Sequence, residues 1–386
     1  GFTSLFYNTT GTTNTAVGSS ALKANTTASE NTAVGFSALT ANTTGTRNTS
    51  SGSYSLQANT TASYNSAYGS KSLQTNTTGA NNTAAGYEAL TANTTGAQNV
   101  AIGNSALAAN TTGQSNVAMG YHAALSATTA ANNTVVGFTA GHDLSTGGSN
   151  TFMGTQAGYA NTTGAQNVGI GRNTLIANTT GSDHTVVGNS ALDSNTTGSK
   201  NVAIGSQAGT TTTTGAHNIF LGNNTRPEAV ANRQCIVLGT VGGGAVTGKG
   251  ANTGFINPNG GFMFQGNNQS AWAQTSDERL KKNIVNNDVG LAKINAIQVR
   301  NFDYKTVAEV ESDGVLNSNQ AIIRTGTQLG VIAQELELIC PDCVTTQSSG
   351  VKTVSGDDLH WHMLNAIKEL STQNAALAAR ITTLEG

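Results

Sequence analysis

The chain has 386 residues and a formal net charge of −2, with 18 Lys and Arg against 20 Asp and Glu. This balance argues against nucleic acid as a partner, because phosphate contacts need clustered basic side chains. No run of about 18 apolar residues is present, so no membrane-spanning segment is expected. Residues 1–275 carry 14 charges and residues 276–386 carry 24, which separates a weakly charged part from one with the composition of a globular domain.

Glycine recurs at every seventeenth position from Gly1 to Gly239, fifteen times without an insertion or deletion. A fixed period of this length indicates a repeat architecture, in which each unit buries its apolar face by stacking on its neighbours. Residues 1–240 are therefore predicted to form a rod. Because Gly1 already stands in the repeat register, we expect further repeats before it.

Each repeat approximates Asn-Thr-Ala-Val-Gly-x-x-Ala-Leu-x-Ala-Asn-Thr-Thr-Gly-x-x. The short alternating run before each glycine, such as Val100–Ile102, predicts a strand. The glycine is predicted to turn the chain at positive φ, and Asn-Thr-Thr-Gly to form a second corner. One repeat thus makes one coil of a β-solenoid. With about 4.8 Å per coil, the array spans roughly 70 Å.

The apolar side chains of each coil are few and small, so a single thin solenoid buries little surface. Association of three chains along the rod would supply the missing burial. The segments Asn99-Val-Ala-Ile-Gly103 and Asn201-Val-Ala-Ile-Gly205 resemble the head repeats of trimeric autotransporter adhesins, although the 17-residue spacing is longer than in those β-rolls. The resemblance implies a trimeric rod. After it, the Gly- and Asn-rich residues 241–275, with the strand-like Phe262-Met-Phe264, are predicted to form a trimeric neck.

The rod is not expected to cleave glycans. A glycosidase needs two carboxylates that flank one bond. The six acidic residues of the rod stand at unrelated positions of the repeat, so stacking does not pair them: Glu30, Glu88, Asp143, Asp183, Asp193 and Glu228.

The charged part opens with Ser276-Asp-Glu-Arg-Leu-Lys-Lys-Asn-Ile284. Alone, this segment favours a helix start with Ser276 as N-cap. Three further blocks follow it: Asn301-Phe-Asp-Tyr304, then Gly330-Val-Ile-Ala-Gln-Glu335 with Pro341 and Val344 after it, and Ala366-Ile-Lys-Glu-Leu370. Together they resemble the C-terminal intramolecular chaperone domains of phage tailspikes and tail fibres, first met on endosialidase tailspikes, over residues 276–386.

The resemblance implies that this domain trimerises, guides folding of a β-helical body and then cuts itself off at the Thr275–Ser276 bond. The family's serine–lysine dyad corresponds to Ser276 as nucleophile and Lys281 as base. Lys281 must then be neutral, which requires desolvation or nearby positive charge. Within the same motif, Asp277, Arg279 and Lys282 are supporting residues, the last two as neighbouring cations. No cofactor is implied.

The end of the chain independently favours a coiled coil. Apolar residues recur at alternating spacings of four and three, with one polar residue that can set the register: Met363, Ile367, Leu370, Asn374, Leu377, Ile381 and Leu384. The preceding stretch is predicted to be α+β. It comprises a helix at 289–297, a strand at 299–304, a loop at 307–320, a strand at 328–333 and a helix at 334–339.

Three cysteines are too few for a disulfide framework. Cys340 and Cys343 have Cys-x-x-Cys spacing, but no further ligands are spaced around them, and Cys235 occupies an Asn position of the repeat. Near the start of the terminal helix, His360 and His362 lack an evident third ligand. No metal site is therefore predicted.

The combined interpretation is a virion tail fibre or tailspike precursor, made in the host cytoplasm, with a trimeric rod that contacts the host surface and a self-removing chaperone. Its expected partners are two further copies of the chain and a host receptor, either a glycan or an outer-membrane component. A bacterial trimeric surface adhesin is the alternative, and a glycan-degrading tailspike is less well supported. Function is inferred by analogy here, because a fold does not determine it.

Overall fold

The computed structural model describes residues 1–240, 244–258, 263–265, 282–287, 290–313, 326–346 and 350–385. The chain divides into two compact units, Gly1–Ser276 and Asp277–Gly386. Among the described residues, no helix combines the length and the apolar character needed to cross a bilayer.

The first unit is built from three-residue strands, one in each repeat. These strands are β1 Thr15–Val17, β2 Thr32–Val34, β3 Thr49–Ser51, β4 Ser66–Tyr68, β5 Thr83–Ala85, β6 Val100–Ile102, β7 Val117–Met119, β8 Thr134–Val136, β9 Thr151–Met153, β10 Val168–Ile170, β11 Thr185–Val187, β12 Val202–Ile204 and β13 Ile219–Leu221. Five more follow: β14 Thr225–Arg226, β15 Ile236–Thr240, β16 Val246–Thr247, β17 Gly254–Pro258 and β18 Met263–Gln265.

The strands stack in parallel, so each residue pairs with the residue at the same position of the next repeat. Thr15 pairs with Thr32, for example, and Val100 with Val117. The result is a β-solenoid of about 14 turns, as the sequence predicts. The ladder extends beyond Gly239, because β17 pairs with β15, and β18 then returns antiparallel to β17.

The period-marking glycines turn the chain where two coils touch. Gly69 has a φ of 121°, and a Cβ there would lie 2.6 Å from the carbonyl oxygen of Gly86 in the next coil. Gly35 has a φ of 139° and a Cβ there would lie 2.5 Å from the oxygen of Gly52. The predicted positive φ is confirmed. Independently of φ, the close approach of the next coil leaves no space for a side chain.

A ladder of buried asparagines forms the second corner. The Asn42 amide donates hydrogen bonds to Asn25 Oδ1 at 3.0 Å and to the Gly45 carbonyl at 2.9 Å. The Asn59 amide repeats the pattern one coil further, at 2.9 Å to Asn42 Oδ1 and 3.0 Å to the Ala62 carbonyl. Each side chain thus closes its own turn and connects to the adjacent coil, satisfying polar groups that are fully buried.

A second asparagine column precedes the strands. Asn31 Oδ1 accepts the backbone N–H of Asn48 at 2.9 Å, and Asn48 Nδ2 donates to the Ala62 carbonyl at 2.9 Å. The two columns give the rod hydrogen bonds between coils at positions where its backbone is not in a strand. They compensate for the small apolar content of each coil.

The repeat leucines adopt an unexpected backbone conformation. Leu39 and Leu90 have φ values of 53° and 54°, a left-handed region that costs roughly 1–2 kcal/mol for a residue with a side chain. Both side chains are fully buried, and Leu39 N–H donates to the Ser55 carbonyl at 3.0 Å. Burial of an aliphatic side chain contributes about 1.5–3 kcal/mol, which offsets this cost.

Where the core contains a large phenylalanine ring, a glycine next to it provides the space. Most coils combine an inward alanine in the strand with the buried leucine, but one coil has Phe152 and Gly158 instead. A Cβ on Gly158 would lie 2.7 Å from the Phe152 ring, so the glycine provides the space that the ring fills. A Cβ on Gly209 would lie 2.8 Å from the ring of Phe220, which belongs to the strand of the following coil.

Over its described residues, the second unit has four helices, a short 3-10 helix and two strand pairs. Its elements are α1 Leu291–Ala296, β19 Arg300–Phe302, α2 Val307–Asp313, β20 Gln328–Gly330, α3 Ala333–Glu337, the 3-10 helix Pro341–Cys343, β21 Val344–Thr346, β22 Lys352–Val354 and α4 Gly356–Glu385. β19 pairs with β20 and β21 with β22, both antiparallel.

Most elements lie where the sequence predicts them, with shorter bounds, but the predicted loop at 307–320 is wrong over α2. Thr306 and Glu309 form a capping box at its start: Thr306 N–H donates to the Glu309 carboxylate at 2.8 Å, and Glu309 N–H donates to Thr306 Oγ1 at 3.3 Å. Thr-x-x-Glu is a helix-start signal that the sequence prediction overlooked.

His184 replaces asparagine in the second column and keeps its hydrogen bonds. Its Nε2 lies 2.7 Å from the Gly198 carbonyl, and its Nδ1 accepts the N–H of Asn201 at 3.2 Å. This arrangement requires a neutral ring with the proton on Nε2. Burial lowers the pKa of His184 below its usual 6.5, because the site disfavours the charged form.

We therefore expect acid to destabilise the rod through His184. The unfolded chain takes up the proton as pH falls below about 6.5, while the folded chain resists it, so this contribution to stability is lost on acidification. The measurement is the denaturant midpoint of the full chain at pH 8 and at pH 5, compared with His184→Asn, which restores the repeat residue. The variant should lose less stability than the wild type, and equal losses would contradict the assignment.

Candidate functional site

The predicted processing residues lie almost entirely outside the described residues. Thr275, Ser276, Asp277, Arg279 and Lys281 all fall within 266–281, so the structure does not bear on the predicted dyad. Lys282 begins the next described segment, where it is exposed.

The segment that follows the predicted dyad is attached to helix α4. Asn365 Nδ2 donates to the Asn287 carbonyl at 2.6 Å. The Glu369 carboxylate accepts the N–H groups of Gly290 and Leu291 at 2.8 and 3.1 Å, satisfying backbone donors at the start of α1. These bonds link the chain just beyond Lys282 to the helix with the heptad pattern.

Gly290 permits this attachment. It is buried, and a Cβ there would lie 2.6 Å from the backbone carbon of Asn365 and closer still to Ala366 N. A larger residue would push the segment away from α4 and separate Glu369 from the N–H groups that it accepts.

Two of the sequence blocks meet in a strand pair beside a small core. Asn301 and Gly330 lie on the paired strands β19 and β20, and Arg300 makes a two-point contact with Glu335 at 3.1 and 3.2 Å. Leu336 is buried with Cys340 and Cys343, against partly buried apolar residues that include Ile297, Val331, Val344 and Val354.

A cluster of potential ligands lies beside this core. The sulfur atoms of Cys340 and Cys343, a carboxylate oxygen of Asp342 and a ring nitrogen of His362 all lie within 4.8 Å of one another. The sequence prediction that no further ligand accompanies Cys340 and Cys343 is therefore wrong. It failed because His362 lies 19 residues from Cys343 and reaches the cluster only through the packing of α4.

Contacts within the cluster are close. His362 Nε2 lies 3.0 Å from Asp342 Oδ2, and this hydrogen bond lowers the pKa of Asp342 below its usual value. Cys340 Sγ lies 3.2 Å from Asp342 Oδ1. The two cysteines are joined as a disulfide, with a Cα–Cα distance of 5.4 Å. Lys293 Nζ lies 3.4 Å from both Asp342 Oδ1 and His362 Nε2.

An exposed apolar row runs along the solenoid. The strand residue before each repeat glycine points outward, and successive members pair in register, as Ile102 does with Met119. Its large apolar members are Val17, Val34, Tyr68, Ile102, Met119, Met153, Ile170, Ile204 and Leu221. Ser51 and Ala85 interrupt the row. Exposed apolar surface of this extent is typical of an interaction surface.

The heptad positions of α4 are also exposed. Ile367 is 63% exposed, Leu377 52% and Leu384 84%, so the helix presents an apolar seam that the unit itself does not cover. Both units thus carry exposed apolar surface, and on α4 it lies at the predicted heptad positions.

Comparison with known proteins identifies the second unit. Residues 276–345 match the model of a peptidase family described as chaperone of endosialidase. The match begins at Ser276, the first residue after the predicted cleaved bond. No curated protein matches the chain.

A β-solenoid rod followed by a C-terminal chaperone is the organisation of a precursor of the tail fibre or tailspike type. Residues 276–345 thus resemble an endosialidase-type chaperone, and the matched family suggests a peptidase-like domain. The resemblance drawn from the sequence blocks is confirmed over residues 276–345, and the block Ala366-Ile-Lys-Glu-Leu370 lies beyond the match.

Proposed function

We propose that this chain is the precursor of a virion tail fibre or tailspike whose C-terminal unit aligns three chains and then releases itself. The observation that carries the proposal is the junction: a repeat rod meets an endosialidase-type chaperone whose family match starts at Ser276. The precursor would be made in the host cytoplasm, and the processed rod would be part of the virion.

The proposed reaction is a single-turnover cleavage of the Thr275–Ser276 bond. Ser276 Oγ attacks the Thr275 carbonyl carbon while neutral Lys281 accepts its proton. The amide bond breaks as the ester forms, and the proton passes to the amino group of Ser276. Water then hydrolyses the ester and leaves Thr275 with a free carboxylate. Arg279 and Lys282 would help to keep Lys281 neutral.

Attachment of the downstream segment to α4 supports coupling between cleavage and assembly. Asn365 and Glu369 bind the backbone of Asn287, Gly290 and Leu291 on the helix whose exposed seam would form the coiled coil. Because the dyad immediately precedes this segment, we infer that association of α4 positions Ser276 and Lys281. An unassembled chain would then remain uncut.

Homotrimerisation would cover both apolar surfaces, the row on the rod and the seam of α4. The alternative of a bacterial trimeric adhesin uses the same surfaces and differs in where the rod is displayed. A glycan-degrading tailspike is less well supported. Glu88, for example, is paired with Lys71 at 2.9 Å rather than with a second carboxylate.

The cleavage prediction is tested by mass spectrometry of the expressed chain. Wild type should yield fragments ending at Thr275 and beginning at Ser276. Ser276→Ala and Lys281→Ala should leave the chain intact because each removes one member of the dyad. Lys282→Ala, which removes the neighbouring positive charge, serves as the control and should still be cut, at most more slowly. Cutting of Ser276→Ala at the same bond would refute the proposed nucleophile.

The association prediction concerns the apolar row. Ile102→Glu with Met119→Glu should weaken the trimer of the released rod, because two charges in adjacent coils would be desolvated at the interface. Thr95→Glu with Thr112→Glu is the matched control, since these exposed residues have the same 17-residue spacing. Light scattering should give a trimeric mass for wild type and control and a smaller mass for the row variant. A monomeric wild type, or an unchanged row variant, would contradict the assignment.

Adhesion is tested with the released rod on a panel of intact bacteria and purified surface glycans. The rod should bind at least one member of the panel, while the released C-terminal unit should not. Binding no stronger than that of the C-terminal unit across the panel would argue against adhesion. Release of new reducing ends from a glycan would favour the enzymatic alternative.

A further inference from the structure

The cluster beside the chaperone core combines four side chains that suit one divalent ion. Cys340 and Cys343 are fully buried and His362 is 4% exposed, whereas the side chain of Asp342 is about half exposed. Two sulfurs, one ring nitrogen and one carboxylate oxygen within 4.8 Å of one another match the ligand types and number of a tetrahedral zinc site.

Local structure positions these ligands. Pro341 opens the 3-10 helix, and Cys343 N–H donates to the Cys340 carbonyl at 3.0 Å. This tight turn brings the two cysteine Cα atoms to 5.4 Å. The third ligand comes from α4, where His362 Nε2 approaches Asp342 Oδ2 at 3.0 Å.

We propose that, with its cysteines reduced, this cluster binds Zn²⁺ through Cys340 Sγ, Cys343 Sγ, His362 Nε2 and one oxygen of Asp342. Binding releases two thiol protons, and the dication with two thiolates and one carboxylate leaves a net charge of −1. Lys293 Nζ, at 3.4 Å from both Asp342 and His362, supplies the compensating charge beside the ligands.

The disulfide is the oxidised form of the same cysteine pair. An oxidant that accepts two electrons converts the two thiols to the disulfide with loss of two protons, and a thiol reductant reverses the step. A chain made in a reducing cytoplasm begins with both thiols. The same cysteine pair can therefore bind zinc or form the disulfide, but not both, and its redox state determines which.

Zinc would attach α4 to the rest of the second unit. Three ligands lie in and beside the 3-10 helix within the family-matched residues, and His362 lies on the heptad helix. Because a structural zinc site contributes directly to folding free energy, metal binding would fix the position of α4 before its seam meets other chains.

The test uses the full chain purified with a phosphine reductant and without chelator. Elemental analysis should give one zinc per chain. After the metal is removed, cobalt should restore the visible absorption bands of a tetrahedral thiolate site. Cys343→Ser and His362→Gln should each weaken zinc binding at least about tenfold in competition with a chromogenic chelator, and Asp342→Asn should weaken it less.

Two matched controls are present in the chain. Cys235→Ser removes the rod cysteine, and His360→Gln removes an exposed histidine two residues before His362; both should keep full zinc content. Circular dichroism and thiol titration identify any variant that has failed to fold. If Cys343→Ser is such a variant, the zinc affinity of His362→Gln, which keeps both cluster thiols, decides the proposal. Wild-type chain in which Cys340 and Cys343 are both reduced, with no zinc and no cobalt absorption, would overturn the proposal, as would a disulfide that persists under reductant. None of these readouts depends on cleavage at Thr275–Ser276.

Discussion

Contact between the glycines of adjacent coils is the constraint on which the rod depends. At Gly69 a Cβ would meet the carbonyl of Gly86, and the backbone there has a positive φ. The glycines can stack only if every coil contains the same number of residues, because one additional residue would carry the glycine out of its column. The strict period of 17 follows from this contact, and the parallel pairing of successive strands from β1 to β13 follows from the period.

This geometry leaves little room for an ordinary hydrophobic core. Alanine and leucine fill most coils, and the two asparagine columns provide the remaining cohesion through buried hydrogen bonds. The leucines have an unfavourable positive φ, but this backbone conformation places an aliphatic side chain inside the coil. Where the strand carries Phe152, Gly158 stands in the leucine position, so the glycine makes room for the ring within that coil. Stability is therefore distributed evenly along the rod, as in other repeat proteins.

The solenoid could be predicted because its signals are local and repeated. Almost every unit contains the strand alternation, the turn glycine and the Asn-Thr-Thr corner. A chance match at one position therefore does not change the predicted fold. The positive φ of the leucines could not be predicted, since nothing in leucine's own preferences suggests it. In the second unit the signals occur only once: the Thr306–Glu309 capping box was overlooked, and His362 joins Cys340 and Cys343 only through tertiary packing. The proposed dyad rests on motif resemblance alone.

A rod of nearly identical coils has a weakness that a chaperone can correct. In the proposed trimer, one chain could slide by 17 residues and still place its apolar row against the same row of its neighbours, losing contacts only at the ends. The repeat therefore specifies the structure of each chain much better than the alignment between chains. A non-repeating unit at one end provides a reference. In the heptad seam of α4, the polar Asn374 among apolar residues can specify a single axial alignment. Once the rods have associated in that alignment, sliding requires many coil contacts to break together, so the reference is no longer needed. Under the proposed function, cleavage then removes a unit that the alignment no longer needs, because breaking many coil contacts together is slow.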